Sequence, residues 1–298
     1  MQVLSFQQII SLLQNYWSDY GCVVLQPYDL EMGAGTFHPA TVLKSLIEYS
    51  WNAAYVQPSR RPTDSRYSAH PNRLGRYYQF QVILKPSPDN MQQLYLDSLL
   101  KLGLNIEEND IRFIEDDWES PTLGASGMGW EVCCNGMEIS QFTYMQQMAG
   151  IDIFPVLGEI TYGLERLALY IQQKDQIKDI VWNYSNNGKK LFTYGELEFI
   201  SEKQFSQFST KFSNTELLFQ QFQEAEQISL ELIHSKLPIV AYDYCIKASH
   251  LFNLLDAHGV ISVTERAAYI IRIRNLVKLC CSNLLNMNKK ADESRVIN

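Results

Sequence analysis

Five of the eleven arginines in the chain lie between residues 60 and 76, at positions 60, 61, 66, 73 and 76. Asp64 is the only acid among them. Guanidinium groups bind phosphate oxygens through paired hydrogen bonds, so this cluster predicts a loop that binds a polyanion. The alternative is a solvated basic loop. Aromatic residues on both sides of the cluster favour the ligand, because a ring beside such arginines can stack on a base.

A second candidate is a pair of acids around a predicted two-residue turn at 135–136, where Asn-Gly is typical of a hairpin. Such a turn pairs Cys133 with Glu138 and Glu131 with Ser140. Glu131 and Glu138 then share one face of the hairpin, about 7–8 Å apart as diagonal neighbours. Two carboxylates at this separation can hold Mg²⁺ beside a triphosphate or recognise an ammonium group. The alternative is an ordinary solvent face.

The third candidate is the stretch 158–168, which begins like a strand and passes through Gly163 into a helix. Arg166 lies in the first turn of that helix. A helix N-terminus together with an arginine suits an anion. Taken alone, the same pattern also fits an arginine in a surface ion pair.

The elements around these residues predict an α+β protein with an antiparallel sheet and flanking helices. Apolar spacing indicates a helix over 4–19, and strands are expected at 48–57 and 76–84 with a long loop between them. A glycine-rich loop is expected at 124–129, followed by the hairpin 130–146. The strands pair through hairpins, and neither a GxGxxG nor a Walker A motif is present, which argues against a doubly wound nucleotide fold.

Three segments are predicted. Residues 1–172 form the part with the sheet, with a helix from about Tyr162 to residue 172. Residues 173–215 are polar and are expected to be a connector with little core. Residues 216–298 form a helical C-terminal domain of about three helices, broken near Pro238 and Gly259.

Composition sets further limits. The 298-residue chain has 25 basic and 33 acidic residues, a net charge of −8, so binding of nucleic acid by bulk positive charge is not expected. No apolar window is long enough for a transmembrane helix, and the N-terminus lacks the features of a signal peptide. The six cysteines form no CxxC pair, which favours buried thiols in the cytoplasm over disulfides or a zinc site.

Over nearly its whole length, the sequence resembles the α chains of bacterial heterotetrameric glycyl-tRNA synthetases, which are class II aminoacyl-tRNA synthetases. The resemblance rests on strings specific to that family: 28–39 (YDLEMGAGTFHP), 56–64 (VQPSRRPTD), 77–81 (YYQFQ), 135–138 (NGME), 241–244 (AYDY) and 252–256 (FNLLD).

The resemblance implies that residues 1–172 are a class II catalytic core, which binds ATP. The segment 48–84 resembles motif 2, in which Arg60 would hold the α-phosphate, Arg76 another phosphate, and Phe80 would stack on adenine. Arg166 resembles the motif 3 arginine that binds the γ-phosphate, and Arg60 and Arg166 would be the catalytic residues. Motif 2 usually reads Arg-x-Glu, but Arg61 and Pro62 follow Arg60 here, so either Arg60 or Arg61 can hold the α-phosphate.

The resemblance also implies that glycine is activated with ATP and transferred to tRNA(Gly). Recognition of glycine needs a carboxylate for its ammonium group, and Glu159 is the first candidate, with Thr36, Gln79, Gln81 and Trp118 as walls and donors. Gln79 and Gln81 share one strand face and Phe80 lies on the other, so a regular strand cannot present all three to one site.

The implied partners and cofactor follow from the same family. ATP would bring Mg²⁺ at Glu131 and Glu138, with Glu138 also near ATP, and no tightly bound organic cofactor is expected. The partners would be glycine, ATP, tRNA(Gly), a β chain that carries most of the tRNA recognition, and a second α chain in an α2β2 assembly, without a membrane. Two rivals remain open: an amide-forming ligase on the same fold that also makes an adenylate, and a non-catalytic subunit.

Overall fold

We describe the fold from a computed structural model of the chain, which describes residues 3–66, 69–212 and 214–296. The helices are α1 (Phe6–Asp19), α2 (Pro39–Val42), α3 (Lys44–Ile47), α4 (Met91–Lys101), α5 (Leu164–Gln172), α6 (Tyr194–Gln207), α7 (Thr215–His234), α8 (Pro238–Ala257) and α9 (Val263–Val296). The strands are β1 (Val23–Leu25), β2 (Trp51–Arg60), β3 (Arg76–Lys85), β4 (Ile111–Ser120), β5 (Ala125–Cys134), β6 (Met137–Met148), β7 (Ile151–Gly163), β8 (Val181–Tyr184) and β9 (Lys190–Thr193).

Seven strands form one sheet in the order β1-β2-β3-β7-β6-β5-β4. All neighbours are antiparallel except β1 and β2, which are parallel. The predicted fold class is confirmed: an antiparallel sheet with flanking helices is followed by an α-helical C-terminal segment. The breaks predicted near Pro238 and Gly259 separate α7, α8 and α9.

The sheet has two faces with different cores. On the back face, Phe80 and Val82 of β3 pack with the apolar sides of α1, α4 and α5. On the front face, Ile83 of β3 and Leu157 of β7 pack with α7, α8 and α9. The helices cover only part of the front face, and the polar part of it that remains open is the floor of the site described below.

Helix α1 begins at a capping box. The Ser5 side chain accepts from the backbone N–H of Gln8, and the Gln8 side chain accepts from the backbone N–H of Ser5. Its apolar side buries Phe6, Leu13 and Trp17 inside the chain's own back-face core. The apolar pattern of this helix is therefore explained by packing within one chain.

Strand β2 lies three residues later than the predicted 48–57: it begins at Trp51, and Pro58 to Arg60 continue it opposite Tyr78 to Arg76. Proline is tolerated there because β1 pairs only with residues 53–55, so β2 is an edge strand beyond that point. The loop between β2 and β3 is correspondingly shorter than predicted and begins at Arg61.

The glycine-rich loop predicted at 124–129 is wrong, because these residues belong mostly to β5. The glycines serve close approach of the backbone rather than flexibility. A Cβ atom at Gly127 would lie 2.3 Å from the carbonyl oxygen of Tyr144 on the neighbouring strand. The absence of side chains thus allows β5 and β6 to pair at this point.

The segment 173–215, predicted to have little core, contains the β8–β9 hairpin and α6. Tyr194, Ile177 and Ile180 are buried in the back-face core. Helix α6 starts at a capping box between Thr193 and Glu196. Strand β7 likewise extends to Gly163, so α5 begins at Leu164 rather than near Tyr162.

Candidate active site

A cavity of about 830 Å³ opens on the front face of the sheet. Its floor is formed by side chains of β3, β6 and β7; residues 61–64, 70 and 72–74 form one wall, and β4 forms another. Ser249, Asn253 and Asp256 of α8 and Arg266 of α9 form the opposite side, which we call the helical roof. The volume lies in the upper part of the range of about 300–1,000 Å³ that is typical of small-molecule sites.

Glu159 of β7 lies directly beneath the floor and is 1% exposed. One of its carboxylate oxygens accepts from the hydroxyl of Thr36 at 3.0 Å and from the side-chain amide of Gln81. The side-chain oxygen of Gln81 accepts from the hydroxyl of Thr161 at 2.8 Å. Thr36 and Thr161 line the cavity, so the buried carboxylate reaches the floor through them.

Burial raises the pKa of Glu159 to about 7, although the hydrogen bonds from Thr36 and Gln81 act to lower it. The carboxylate is therefore balanced between its neutral and ionised forms near neutral pH. A cation that arrives beside it would shift it to the ionised form. Such a group at a cavity floor is typical of a functional site.

Gln79 lines the cavity and fixes the loop that carries Thr36. Its side-chain oxygen accepts from the backbone N–H of Gly35 at 2.7 Å and from the hydroxyl of Ser59 at 3.1 Å. Gly35 fits closely against the next glutamine, since a Cβ atom there would lie 2.8 Å from Oε1 of Gln81. The two glutamines thus hold the floor in place from one strand face.

Trp118 of β4 forms a wall of the same cavity. The position of its side chain depends on Gly129 of the neighbouring strand, where a Cβ atom would lie 2.9 Å from Cβ of Trp118 and 2.9 Å from Nε2 of Gln141. The tryptophan gives the cavity a bulky, rigid side, which is suited to excluding larger ligands.

The arginines divide between the two sides of the β2–β3 pair. Arg60 pairs with Arg76 in register, and Ser59 pairs with Tyr77, so each pair lies on one face. Tyr77 shares the front face with Gln79, whereas strand alternation turns Arg60 and Arg76 away from it, towards Glu31 and Glu198. Neither Arg60 nor Arg76 lines the cavity.

Arg61, which follows the end of β2, turns into the cavity. Its Nε donates to the carbonyl oxygen of Gly33 at 3.3 Å, and its guanidinium lies 5.1 Å from the ring centre of Tyr77. Arg166, in the first turn of α5, also lines the cavity and donates to the backbone oxygen and the carboxylate of Glu138. The structure thus brings Arg61 and Arg166 to one site.

Arg60 and Arg76 line a second, smaller cavity of about 390 Å³ between the loop and the C-terminal helices. Arg60 lies 3.4 Å from Glu31 and packs over the ring of Phe205, and Arg76 lies 3.1 Å from Glu198 of α6. Both guanidinium groups are thus held by acids of the protein itself.

Phe80 is fully buried in the back-face core, where its ring packs edge-on against Tyr162. The pairing of β3 with β2 and with β7 is continuous through this position, so no bulge turns Phe80 towards the glutamines. Between the two alternatives that strand alternation left open, the structure brings Gln79 and Gln81 to the site.

The hairpin acids are placed differently from each other. The pairing of Cys133 with Glu138 is confirmed, but Glu131 lies opposite Gln141 and not Ser140, because a bulge between Val132 and Cys133 shifts the register. Glu138 lines the cavity and Glu131 does not. Both carboxylates act to raise the pKa of Cys133, after the larger effect of burial.

Several residues of the cavity were not singled out by the sequence. Glu165 is buried at its edge, accepts from the backbone N–H of Tyr78 at 2.8 Å and the hydroxyl of Tyr194 at 2.9 Å, and has a pKa that burial raises to about 7. The helical roof was missed because the helical pattern of 216–288 signals only packing. Its proximity to the strands depends on tertiary structure.

Among the helices in the described ranges, none combines the length and hydropathy that crossing a bilayer requires. Within the same ranges, no cluster of three or more histidines, cysteines or acids is arranged to hold a metal ion.

Comparison with known proteins gives one consistent family. A sequence model described as "Glycyl-tRNA synthetase alpha subunit" matches residues 6–289. The protein named "Glycine--tRNA ligase alpha subunit" of Rickettsia bellii is 60% identical over 288 residues, covering 97% of this chain and 99% of the relative. The protein of the same name from Rickettsia canadensis is 61% identical over 289 residues, covering 97% and 100%.

Among solved structures, two of a pyrrolysyl-tRNA synthetase from Desulfitobacterium hafniense match at 11% identity. Their TM-scores are 0.42 and 0.41, and each match covers 62% of this chain and 76% of the other.

Proposed function

Because the chain belongs to the family of glycyl-tRNA synthetase alpha subunits, we propose that it activates glycine with ATP and transfers the glycyl group to tRNA(Gly). The observation that carries the proposal is the shared cavity. It joins a buried carboxylate beneath its floor, a tryptophan wall and two arginines from separate elements. These are the groups that an ammonium, a small amino acid and a triphosphate require.

In the first step, a carboxylate oxygen of glycine bonds to the α-phosphorus of ATP, and pyrophosphate leaves. Glycine's carboxylate is already ionised at neutral pH, so no general base is needed. The protein has to align the two substrates and stabilise charge on phosphorus. Arg61 and Arg166 are suited to this task, since both line the cavity and each retains N–H groups that no protein acceptor engages among the described residues.

We propose Arg61 for the α-phosphate in place of Arg60, and Arg166 for the terminal phosphate. Arg60 has Glu31 as its partner and does not line the cavity. Phe80 and Arg76 are assigned to packing and positioning, because they do not reach the cavity. The ring of Tyr77 lines the cavity beneath Arg61, so Tyr77 is better placed than Phe80 to stack on adenine.

We propose Glu159 as the group that selects the ammonium of glycine, acting together with Thr36 and Gln81. The site has no side chain of glycine to grip, so specificity must come from the charged ends and from steric exclusion. Trp118 supports the exclusion of larger amino acids. In the second step, the 3′-hydroxyl of tRNA bonds to the glycyl carbonyl carbon, and AMP leaves.

The donor set fits Mg²⁺ that arrives with ATP. Mg²⁺ is commonly bound by one or two carboxylates together with substrate phosphates and water. Glu138 lines the cavity and would supply a carboxylate, whereas Glu131, the second ligand predicted from the sequence, does not line it. When bound, the ion would neutralise phosphate charge.

The proposed assembly is an α2β2 tetramer in the cytoplasm, with the β chain supplying most of the tRNA contacts. Support comes from the name of the relatives and from the acidity of this chain, which leaves RNA-binding charge to a partner. Strand β1 is a sheet edge with Val23 half exposed, which supports a second α chain beside it. The six free cysteines, all buried, suit a reducing compartment.

The decisive assay is glycine-dependent exchange of pyrophosphate into ATP, with and without the β chain. We expect exchange with glycine and not with alanine or serine. Arg166→Ala should abolish it. Arg112→Ala is the matched control, because Arg112 also pairs with an acid, Asp110, but lies outside the cavity.

Exchange with other amino acids only would favour the rival amide-forming ligase. No exchange in any assembly would favour the non-catalytic subunit. Full exchange in Arg166→Ala would refute the assignment of the site.

A further inference from the structure

The helical roof places Arg266 of α9 at the cavity with a free binding edge. Its Nε donates to Oδ2 of Asp256 at 3.1 Å, and its side chain is 53% exposed against 22% for the aspartate. Among the described residues, no acceptor engages either Nη group of Arg266. The aspartate, which also lines the cavity, holds the guanidinium by one nitrogen, while the two Nη groups remain available for a phosphate.

The roof is also fixed in place. Farther along α9, Nε of Arg274 donates to the carbonyl oxygen of Pro121 at 2.7 Å, and Pro121 itself lines the cavity. On α8, the hydroxyl of Tyr242 donates to the carbonyl oxygen of Phe37 at 2.7 Å. Both roof helices are therefore tied to the walls of the cavity, so Arg266 is held by tertiary contacts and not by its own exposed ion pair alone.

We propose that Arg266 binds a backbone phosphate of the single-stranded 3′ end of the RNA substrate as that end enters the cavity. The inference rests on the proposed function and extends it to a part of the chain outside the class motifs. The chain carries a net charge of −8, so an entering RNA must meet local cations. The sheet side already provides Arg61 and Arg166 for a triphosphate, which leaves the roof arginine for a second anion.

The proposal predicts unequal effects on the two half-reactions. With the assembled α and β chains, Arg266→Gln should raise the KM for tRNA in aminoacylation by about tenfold, the effect expected for one charge-assisted hydrogen bond. The effect on glycine-dependent exchange should be at least fivefold smaller. The slope of log kcat/KM for tRNA against log salt should become shallower by about 0.7, as for one lost single-strand phosphate contact.

Two further variants separate phosphate binding from a structural role. Asp256→Asn keeps an acceptor oxygen for Nε but removes a negative charge, so it should lower the KM for tRNA or leave it near wild type. Arg112→Gln, which breaks an exposed ion pair outside the cavity, should change neither reaction.

Each contrary outcome has a clear reading. If Arg266→Gln lowers exchange as much as aminoacylation, the residue serves ATP or the fold, and the proposal is overturned. It is also overturned by an unchanged KM for tRNA and an unchanged salt slope, or by a loss in Asp256→Asn equal to that in Arg266→Gln. Absence of glycine-dependent exchange in the wild type would instead refute the proposed function.

Discussion

The buried carboxylate of Glu159 makes glycine binding depend on pH in a calculable way. Burial raises its pKa from 4.5 to about 7. Below pH 7 the group is increasingly protonated and cannot pair with an ammonium, so binding of glycine should weaken as the pH falls. The apparent KM is multiplied by a factor of one plus the ratio of protonated to ionised enzyme. This factor is about 33 at pH 5.5 and about 1.3 at pH 7.5.

The KM for glycine in the exchange assay should therefore rise about 25-fold from pH 7.5 to pH 5.5. Glu159→Gln keeps an oxygen that can accept from Thr36 and Gln81 but cannot ionise. It should bind glycine weakly at every pH and lose this pH dependence. The variant, measured over the same pH range, is therefore the control.

The same shift predicts an effect on stability. Because the folded pKa is raised, the contribution of Glu159 is fully present below pH 4.5 and is lost as the pH rises to about 7. A shift of this size corresponds to about 3 kcal/mol. Denaturant unfolding should therefore show Glu159→Gln gaining about 3 kcal/mol relative to wild type between pH 4.5 and pH 7.5. The reasoning about glycine binding would be refuted if the wild-type KM for glycine did not change with pH. It would also be refuted if the KM of Glu159→Gln changed with pH as steeply as that of the wild type.

Three other predictions concern the loop between β2 and β3, which we call the arginine loop, and the elements that support it. Arg61→Ala should lower kcat/KM for ATP in exchange by 10²-fold or more, whereas Arg60→Ala should mainly lower the free energy of unfolding; the reverse order would return the α-phosphate role to Arg60. Phe80→Leu should cost about 1 kcal/mol of stability, measured by denaturant unfolding, without raising the KM for ATP, because its ring lies in the core. Glu202 is a buried carboxylate that accepts from the backbone N–H of Gly75 at 2.8 Å and so positions the end of the arginine loop. Glu202→Gln should therefore raise the KM for ATP more than it lowers kcat. Equal effects on KM and kcat would contradict this positioning role.

Much of this site could be predicted from residue types alone. The alternation of side chains along 76–84 already separated Phe80 from Gln79 and Gln81, and the Asn-Gly turn correctly paired Cys133 with Glu138. These inferences succeeded because strand periodicity and turn chemistry are local.

The errors arose where tertiary contacts decide. The bulge beside Val132 shifts the register, so that Glu131 pairs with Gln141 in place of Ser140, and no residue type marks such a bulge. Gly127 reads as a loop residue until the neighbouring strand is known to lie against it. The choice between Arg60 and Arg61 depended on where β2 ends, and strand ends are set by pairing rather than by propensity.

The contacts of α6 determine how far the chain can be truncated. Glu202 accepts from the backbone N–H groups of Gly75 and Arg76, at the point where the arginine loop returns to the sheet. A fragment that ended at residue 172 would leave both amides without this acceptor, at about 1–3 kcal/mol each where they stay buried. It would also lack the helices that close the cavity. We therefore expect a catalytic fragment to require nearly the full length of the chain.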